Sequence, residues 1–190
     1  MEILSTKRFQ LEFINKFHYE NLKEFAFDTE LWKFSTIKIQ NEKDFKEYFN
    51  NALLWSEQTS HCVFVIKNLE NNQYVGMSRL YSLDSKNKAI KLGFTWYAAA
   101  LQGSGINKHC KYLILKYAFE NLGMERVELN ADLRNERSIA AMKKIGFQQE
   151  GILRKHTSLP DGFKRDTIVF SMLKEEWENE VKLKLEQEII

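Results

Sequence analysis

The sequence predicts an α/β fold in the order βααβββαβαββ with a helix to finish. Three observations predict it. Short apolar runs of period two alternate with longer runs whose apolar residues recur every three and four positions. A two-glycine loop joins one strand directly to one helix in mid-chain. Repeats, low-complexity tracts and linkers are absent, so 190 residues are expected to form one domain over 1–190.

Residues 8–14 place Phe9, Leu11 and Phe13 on one side of a first strand. Residues 19–34 and 42–55 predict two amphipathic helices, lined by Leu22, Phe25, Ala26 and Leu31 and by Phe45, Phe49, Ala52 and Leu53. Residues 62–66 and 74–83 flank the Glu70-Asn71-Asn72 turn and read as antiparallel neighbours. A polar turn over 84–88 leads into the next strand, where Ile90, Leu92, Phe94 and Trp96 alternate with Lys91, Gly93, Thr95 and Tyr97, which predicts one buried face.

Ile106, Cys110, Leu113, Ile114, Tyr117 and Ala118 then mark a helix that stops near Gly123. A strand over 126–131, a short helix over 135–145 ended by Gly146, and strands over 147–155 and 166–173 follow. The last two are joined through Leu159-Pro160-Asp161-Gly162, a turn signal. Trp177, Val181 and Leu185 mark a terminal helix over about 174–188.

Composition excludes several classes. The 28 basic and 26 acidic side chains, net +2, lack the concentrated basic excess of a nucleic-acid binder. No apolar run reaches the roughly 20 residues of a membrane span, and the N-terminus has no continuous signal core, so a cytoplasmic protein without a membrane partner is expected. Cys62 and Cys110 stand apart in apolar patterns as expected buried free thiols, and His18, His61, His109 and His156 have no ligand spacing, so no metal is expected.

The loop Gln102-Gly103-Ser104-Gly105-Ile106-Asn107 carries the first chemical signal. Two glycines let free N–H groups converge ahead of a helix N-terminus, a geometry that holds phosphate oxygens and also serves as a tight turn. Gly105 is followed by Ile106 and Asn107, so the Lys and Ser or Thr of a P-loop are missing. Lys108 occupies the third glycine position of a dinucleotide fingerprint, which excludes that reading too.

The segment resembles motif A of the GNAT family of acyl-CoA N-acyltransferases, Q/R-x-x-G-x-G/A after a strand, with Gln102, Gly105 and Asn107 in its positions. Asn107 departs from the family's small residue there. A second block, Asn135-Glu136-Arg137-Ser138 followed by Ile145-Gly146-Phe147 and Glu150-Gly151, resembles the N-x-x-S…GF-x-x-E-G signature of the branch containing the ribosomal-protein serine and alanine N-acetyltransferases. Gly151-Ile152-Leu153-Arg154 and Arg165-Asp166 resemble its late strands. The resemblance implies a mixed, mostly antiparallel sheet flanked by helices, with acetyl-CoA bound where two central strands splay apart.

From the resemblance, the cofactor contacts are Trp96, Tyr97, Gln102, Gly103, Ser104, Gly105, Ile106, Asn107, Lys108, Asn130, Asn135 and Ser138. Ser138 is also the serine that some members use as general acid toward the leaving thiolate, its alternative being a hydroxyl bonded into its own helix; Asn135 alternatively caps that helix. Lys91 stands at the position of the branch's usual glutamate base. Glu128, Asp132, His61 and His156 are candidate substitutes.

A lysine of ordinary pKa, about 10.4, is protonated at pH 7 and repels an ammonium substrate. An α-amine of pKa about 7.7–8.0 is already roughly a tenth to a fifth neutral at pH 7, whereas an ε-amine is neutral about once in a few thousand. The expected reaction is therefore acetyl-CoA-dependent acetylation of a peptide or protein N-terminus. A small-molecule amine acceptor, or a degenerate acyl-CoA-binding module, are the alternatives. The partners are acetyl-CoA and an amine acceptor, the state a monomer or a homodimer formed through aromatics around Trp32 and Trp55.

Overall fold

In the computed structural model, which describes residues 4–58 and 61–189, eight strands form one sheet in the order β1-β2-β3-β4-β5-β6-β8-β7. The strands are β1 (Leu4–Ser5), β2 (Phe9–Phe13), β3 (Cys62–Asn68), β4 (Gln73–Asp84), β5 (Ala89–Tyr97), β6 (Arg126–Asp132), β7 (Gln148–Ser158) and β8 (Lys164–Leu173). Only β5 and β6 pair in parallel; the other ladders are antiparallel. β1 has no counterpart in the sequence reading, because two residues carry no periodicity.

Both faces of the sheet are covered. Helices α1 (His18–Ala26) and α2 (Glu42–Ser56) pack on one, burying Leu22, Ala26, Phe45, Phe49 and Ala52 against Val63, Val65 and Met77. Helices α3 (Ile106–Lys116) and α4 (Glu136–Ile145) pack on the other with the terminal helix, against Phe64, Ile66, Ile90, Leu92, Val127 and Phe170. Strand β3 therefore reads as a continuous apolar run, its alternate residues buried on opposite faces.

The terminal helix runs through α5 (Lys174–Glu176), a π turn over Trp177–Val181 and α6 (Lys182–Ile189). Trp177 is wholly buried, stacks on Phe119 at 5.9 Å and donates from Nε1 to Glu120 at 3.1 Å.

The first helix differs from the expectation over 19–34. It ends at Ala26, and a 3₁₀ turn over Thr29–Trp32 follows. Asp28 is the cause: its extended backbone breaks the helix and its carboxylate accepts the Glu30 N–H at 3.1 Å. Trp32 then folds inward, donating from Nε1 to the Ala26 carbonyl at 2.8 Å. It is buried against Trp96 and Tyr48, while Trp55 is half-buried with the Arg79 guanidinium over its ring. Cys110 is buried as expected and Cys62 only half-buried; both thiols are free.

Strands β4 and β5 approach closely at Gly76, where a Cβ would stand 2.2 Å from the Trp96 carbonyl oxygen. That oxygen belongs to backbone and cannot swing away. Gly76→Ala is expected to cost about 1–3 kcal/mol through overpacking, read as a lower denaturation midpoint in urea. An unchanged midpoint would show that the two strands are not held at this separation.

Candidate active site

Strand β5 departs from strict alternation at one point. Arg79 of β4 pairs with Gly93 and Met77 with Trp96, so Phe94 and Thr95 together oppose Ser78, and Phe94 takes φ 51°. This is a β-bulge, and it inverts the phase of the strand. Ile90 and Leu92 face α3, whereas Trp96 faces α1 and α2. The single buried face expected for this strand is thus two half-faces, reversed at Phe94.

The bulge coincides with a parting of the sheet. The β5–β6 ladder ends at Leu92 opposite Leu129. Beyond it β5 follows β4 while Asn130, Ala131 and Asp132 follow β8. The gap is a cleft of about 880 Å³ lined by Gly93–Tyr97 of β5, residues 129–132 of β6, the glycine loop, α4, and the segment over 30–37. It passes through the sheet from the α3 and α4 face to the α1 and α2 face.

At the first end lies the glycine loop. Gly103 and Gly105 take φ 84° and 91°, the left-handed region that disfavours side chains. A Cβ at either would meet nothing within 4 Å, so conformation rather than crowding demands glycine. Arg8 of the segment before β2 donates to the Ser104 carbonyl at 3.0 Å, and the Ser104 hydroxyl is turned back to Leu101 at 2.7 Å. The Asn107 carboxamide accepts from the Tyr97 hydroxyl at 3.2 Å, so its extra bulk is tied to β5. Ile106 is buried under the loop, and the Lys108 ammonium pairs with Glu188 at 2.6 Å. Arg137 of α4 donates to the Gln102 side chain.

Helix α4 supplies the opposite wall. Asn135 caps it, its Oδ1 accepting the Ser138 N–H at 3.1 Å, while Gly146 ends it at φ 117°. Among the described residues no hydrogen bond engages the Ser138 hydroxyl, which lines the cleft half-exposed. The Trp96 ring is committed to Tyr48, donating from Nε1 to its hydroxyl at 3.2 Å, which leaves main chain as the part of Trp96 open to a ligand.

Lys91 does not line the cleft. Its ammonium lies 2.8 Å from Glu128, its partner across the parallel ladder. Burial pushes the Glu128 carboxyl up, but Lys91, Asn130 and Arg126 together hold it below the carboxylate range. Asp132 does line the cleft; burial raises its carboxyl too, yet two hydrogen bonds from the Arg134 guanidinium, at 2.9 and 2.7 Å, and one from its amide leave it lowered. His61 and His156 are not in the lining: His61 stacks on Trp55 and His156 meets Thr167 at 3.1 Å. Neither Lys91 nor any of these substitutes therefore presents an uncommitted carboxylate or imidazole to the cleft.

Lys111, Arg165 and Tyr81 are among the cleft residues that the sequence did not mark as parts of the site. Lys111 of α3 is only 6% exposed, and its ammonium donates to the Thr95 hydroxyl at 3.2 Å, with no carboxylate paired to it among the described residues. Burial pushes its pKa down to about 8. Its one legible signal was a charge placed between Cys110 and Leu113 in an apolar stripe. Arg165 of β8 and Tyr81 of β4 line the second end. Asn130 was expected in the site, and its buried Oδ1 has no donor among the described residues. No group of three metal-binding side chains occurs among the described residues, nor does a helix long and apolar enough to cross a membrane.

The comparisons with known proteins agree with this geometry. The profile of the acetyltransferase (GNAT) domain matches residues 8–148. YdaF of Bacillus subtilis (strain 168), provisionally named a ribosomal N-acetyltransferase, is 36% identical over 112 residues, 59% of this chain and 60% of that protein. The chain thus spans less than two thirds of the length of that relative. The crystal structure of a provisionally named acetyltransferase from T. thermophilus superposes with a TM-score of 0.87 at 32% identity, covering 100% of this chain and 98% of the other. A GCN5-related N-acetyltransferase from Brucella melitensis, at 22% identity, shares the fold with a TM-score of 0.90 over 100% of this chain and 86% of its own. The splayed β5–β6 pair, its glycine loop and the profile that spans both place this chain in the GNAT family of N-acetyltransferases.

Proposed function

We propose that the chain transfers an acetyl group from acetyl-CoA to a primary amine, most naturally the α-amine of a peptide or protein. The observation that supports it best is the through-sheet cleft, which has an anion-binding loop at one end and a mixed aromatic and charged end at the other. The loop fits the cofactor's diphosphate: Gly103 and Gly105 keep the space before their amides open, and the α3 N-terminus adds its dipole.

When bound, the cofactor supplies an acyl group activated as a thioester. The chain's own residues do the rest. The amides over 102–108 and the Asn135 carboxamide hold the cofactor, and unpaired main-chain groups along Gly93–Tyr97 are positioned to orient its acyl arm and polarise the acyl carbonyl. The Ser138 hydroxyl, free of any helix bond, is placed to give a proton to sulfur as the C–S bond breaks and the C–N bond forms, while the attacking nitrogen, cationic once that bond forms, releases its proton to water, from which Ser138 is reprotonated. The amine must arrive neutral, because Glu128 and Asp132 are both committed to cations and neither is free to deprotonate it. That requirement favours an amine of pKa near 8 over one near 10.4 by roughly 3.4 kcal/mol.

Lys111 adds a cation inside the cleft. A buried ammonium satisfied by one hydroxyl is costly without an anion, and a bound cofactor phosphate or thiolate would supply one.

Acetylation of a peptide panel from pH 6 to 9 tests the reading. N-terminal amines should be turned over with a rate rising through an apparent pKa near 8, while spermine and lysine ε-amines lag; the reverse order would refute the α-amine assignment. Ser138→Ala should lower kcat about a hundredfold with little change in cofactor affinity; wild-type kcat would remove Ser138 from the proton path.

Lys111→Met gives a signature of opposite sign in stability and binding. The folded pKa lies near 8, below the unfolded value, so between these the unfolded chain holds more protons and wild-type stability rises with pH. Below that window the desolvation cost is present in full. The variant should therefore be more stable at pH 7, by about 1–3 kcal/mol, with the advantage fading above pH 8. It should also bind acetyl-CoA less tightly by titration calorimetry. A variant less stable at pH 7 would contradict the desolvation argument.

A further inference from the structure

The second end of the cleft carries a charge pattern that the transfer reaction does not require. It opens on the α1 and α2 face, between the segment over 30–37, β6 and β8. Three cations line it: Lys33, Arg134 and Arg165. The carboxylates facing them are Glu30 and Asp132. Asp132 is consumed by Arg134, whose guanidinium also lies 3.8 Å above the Phe163 ring. Glu30 is 78% exposed and 3.9 Å from Lys33. Glu128, nearby on β6, is held by Lys91 and Arg126.

Among the described residues Arg165 forms no ion pair of its own; Asp132, which acts on it at longer range, is already bound by Arg134. Arg165 is half-buried, its Nε donating to the Thr167 hydroxyl at 3.1 Å and its Nη1 to the Phe34 carbonyl at 3.3 Å. Both partners are neutral, so they orient the planar fork without cancelling its charge. Burial in this wall pushes the guanidinium's pKa down, with Asp132 and Tyr81 opposing that shift. Outside the lining, against α2, Arg79 is 1% exposed, sandwiched between Trp55 and Phe94 at 4.4 Å from each ring, with Nε and Nη2 unpartnered among the described residues. It adds a fixed positive charge that no carboxylate pairs with among the described residues. On the same end the buried Asn130 Oδ1 is an acceptor with no donor among them.

We propose that the acceptor of this enzyme carries a carboxylate close to its reacting amine, and that Arg165 receives that carboxylate as the specificity-determining residue. An Arg fork held by two neutral acceptors is arranged for bidentate carboxylate recognition. A polyamine meets the opposite field: its second ammonium would face Arg165. The carboxylate can come from an acidic side chain next to a peptide N-terminus or from the α-carboxylate of a free amino acid. The inference rests on the acetyl-transfer reading above.

The test compares kcat/KM, at fixed acetyl-CoA, for peptides beginning Ala-Asp, Ala-Asn and Ala-Lys, and for free alanine against alaninamide, on the wild type, Arg165→Gln and Arg165→Lys. Acidic acceptors should exceed their neutral isosteres by about tenfold or more in the wild type. That ratio should collapse toward unity in Arg165→Gln and recover only in part in Arg165→Lys, which keeps the charge and loses the fork. Preference for Ala-Asp over Ala-Asn identifies a peptide source and preference for alanine over alaninamide a free amino acid; either supports the inference. Equal rates for acidic and neutral acceptors, or a ratio unchanged in both variants, overturn it while leaving acetyl transfer standing. Absence of acetylation on every amine overturns both. Thermal melting of each variant, with and without acetyl-CoA, separates a lost preference from a lost fold.

Discussion

One extra residue in β5 governs the architecture of the site. The bulge at Phe94 and Thr95 turns the strand away from β6 just where their ladder ends, and backbone groups that would otherwise pair face a cleft. A non-glycine residue at φ 51° costs on the order of 1–3 kcal/mol. Phe94 is held there from both sides: the Arg79 guanidinium lies 4.4 Å from its ring, and Tyr81 meets it edge-on at 5.1 Å. The strain is therefore sustained by the aromatic and cationic cluster on the α1 and α2 face.

From that single departure follow the two chemically distinct ends of the cleft. On the α3 face the chain offers amides and a helix dipole, aimed by glycines at positive φ and anchored by Arg8 and by the Tyr97 to Asn107 bond. On the α1 and α2 face it offers aromatic walls and guanidinium groups whose neighbouring carboxylates are already spent elsewhere. Lys111 sits between, buried without a paired acid among the described residues. Buried cations without carboxylates cost stability, and their concentration around one cleft is the pattern of a site whose anionic partners arrive with the ligands.

The main elements were legible because their signals are long and periodic. The α3 stripe from Ile106, the cap and stop of α4 at Asn135 and Gly146, and the β3–β4 hairpin all matched. What failed has identifiable causes. Asp28 ends α1 through its own backbone conformation, and a window average does not see one residue. The phase reversal at Phe94 is invisible because Trp96 is apolar and suits either face. Lys91 stood at a meaningful position, but its pairing with Glu128 depends on the register of two strands separated by the whole of α3, which only the fold fixes. Arg165 and Lys111 look like ordinary surface charges until the sheet folds around them.

The central claim is that the parted strands and the glycine loop form one acetyl-CoA site. Amide hydrogen exchange with and without acetyl-CoA tests it most directly. Slowed exchange is expected at the amides of Gly93–Tyr97 and over 102–108 together, with none at the exposed edge strand β7. Protection confined to the loop, or absent from both, would contradict a cofactor lying along the parted β5 strand.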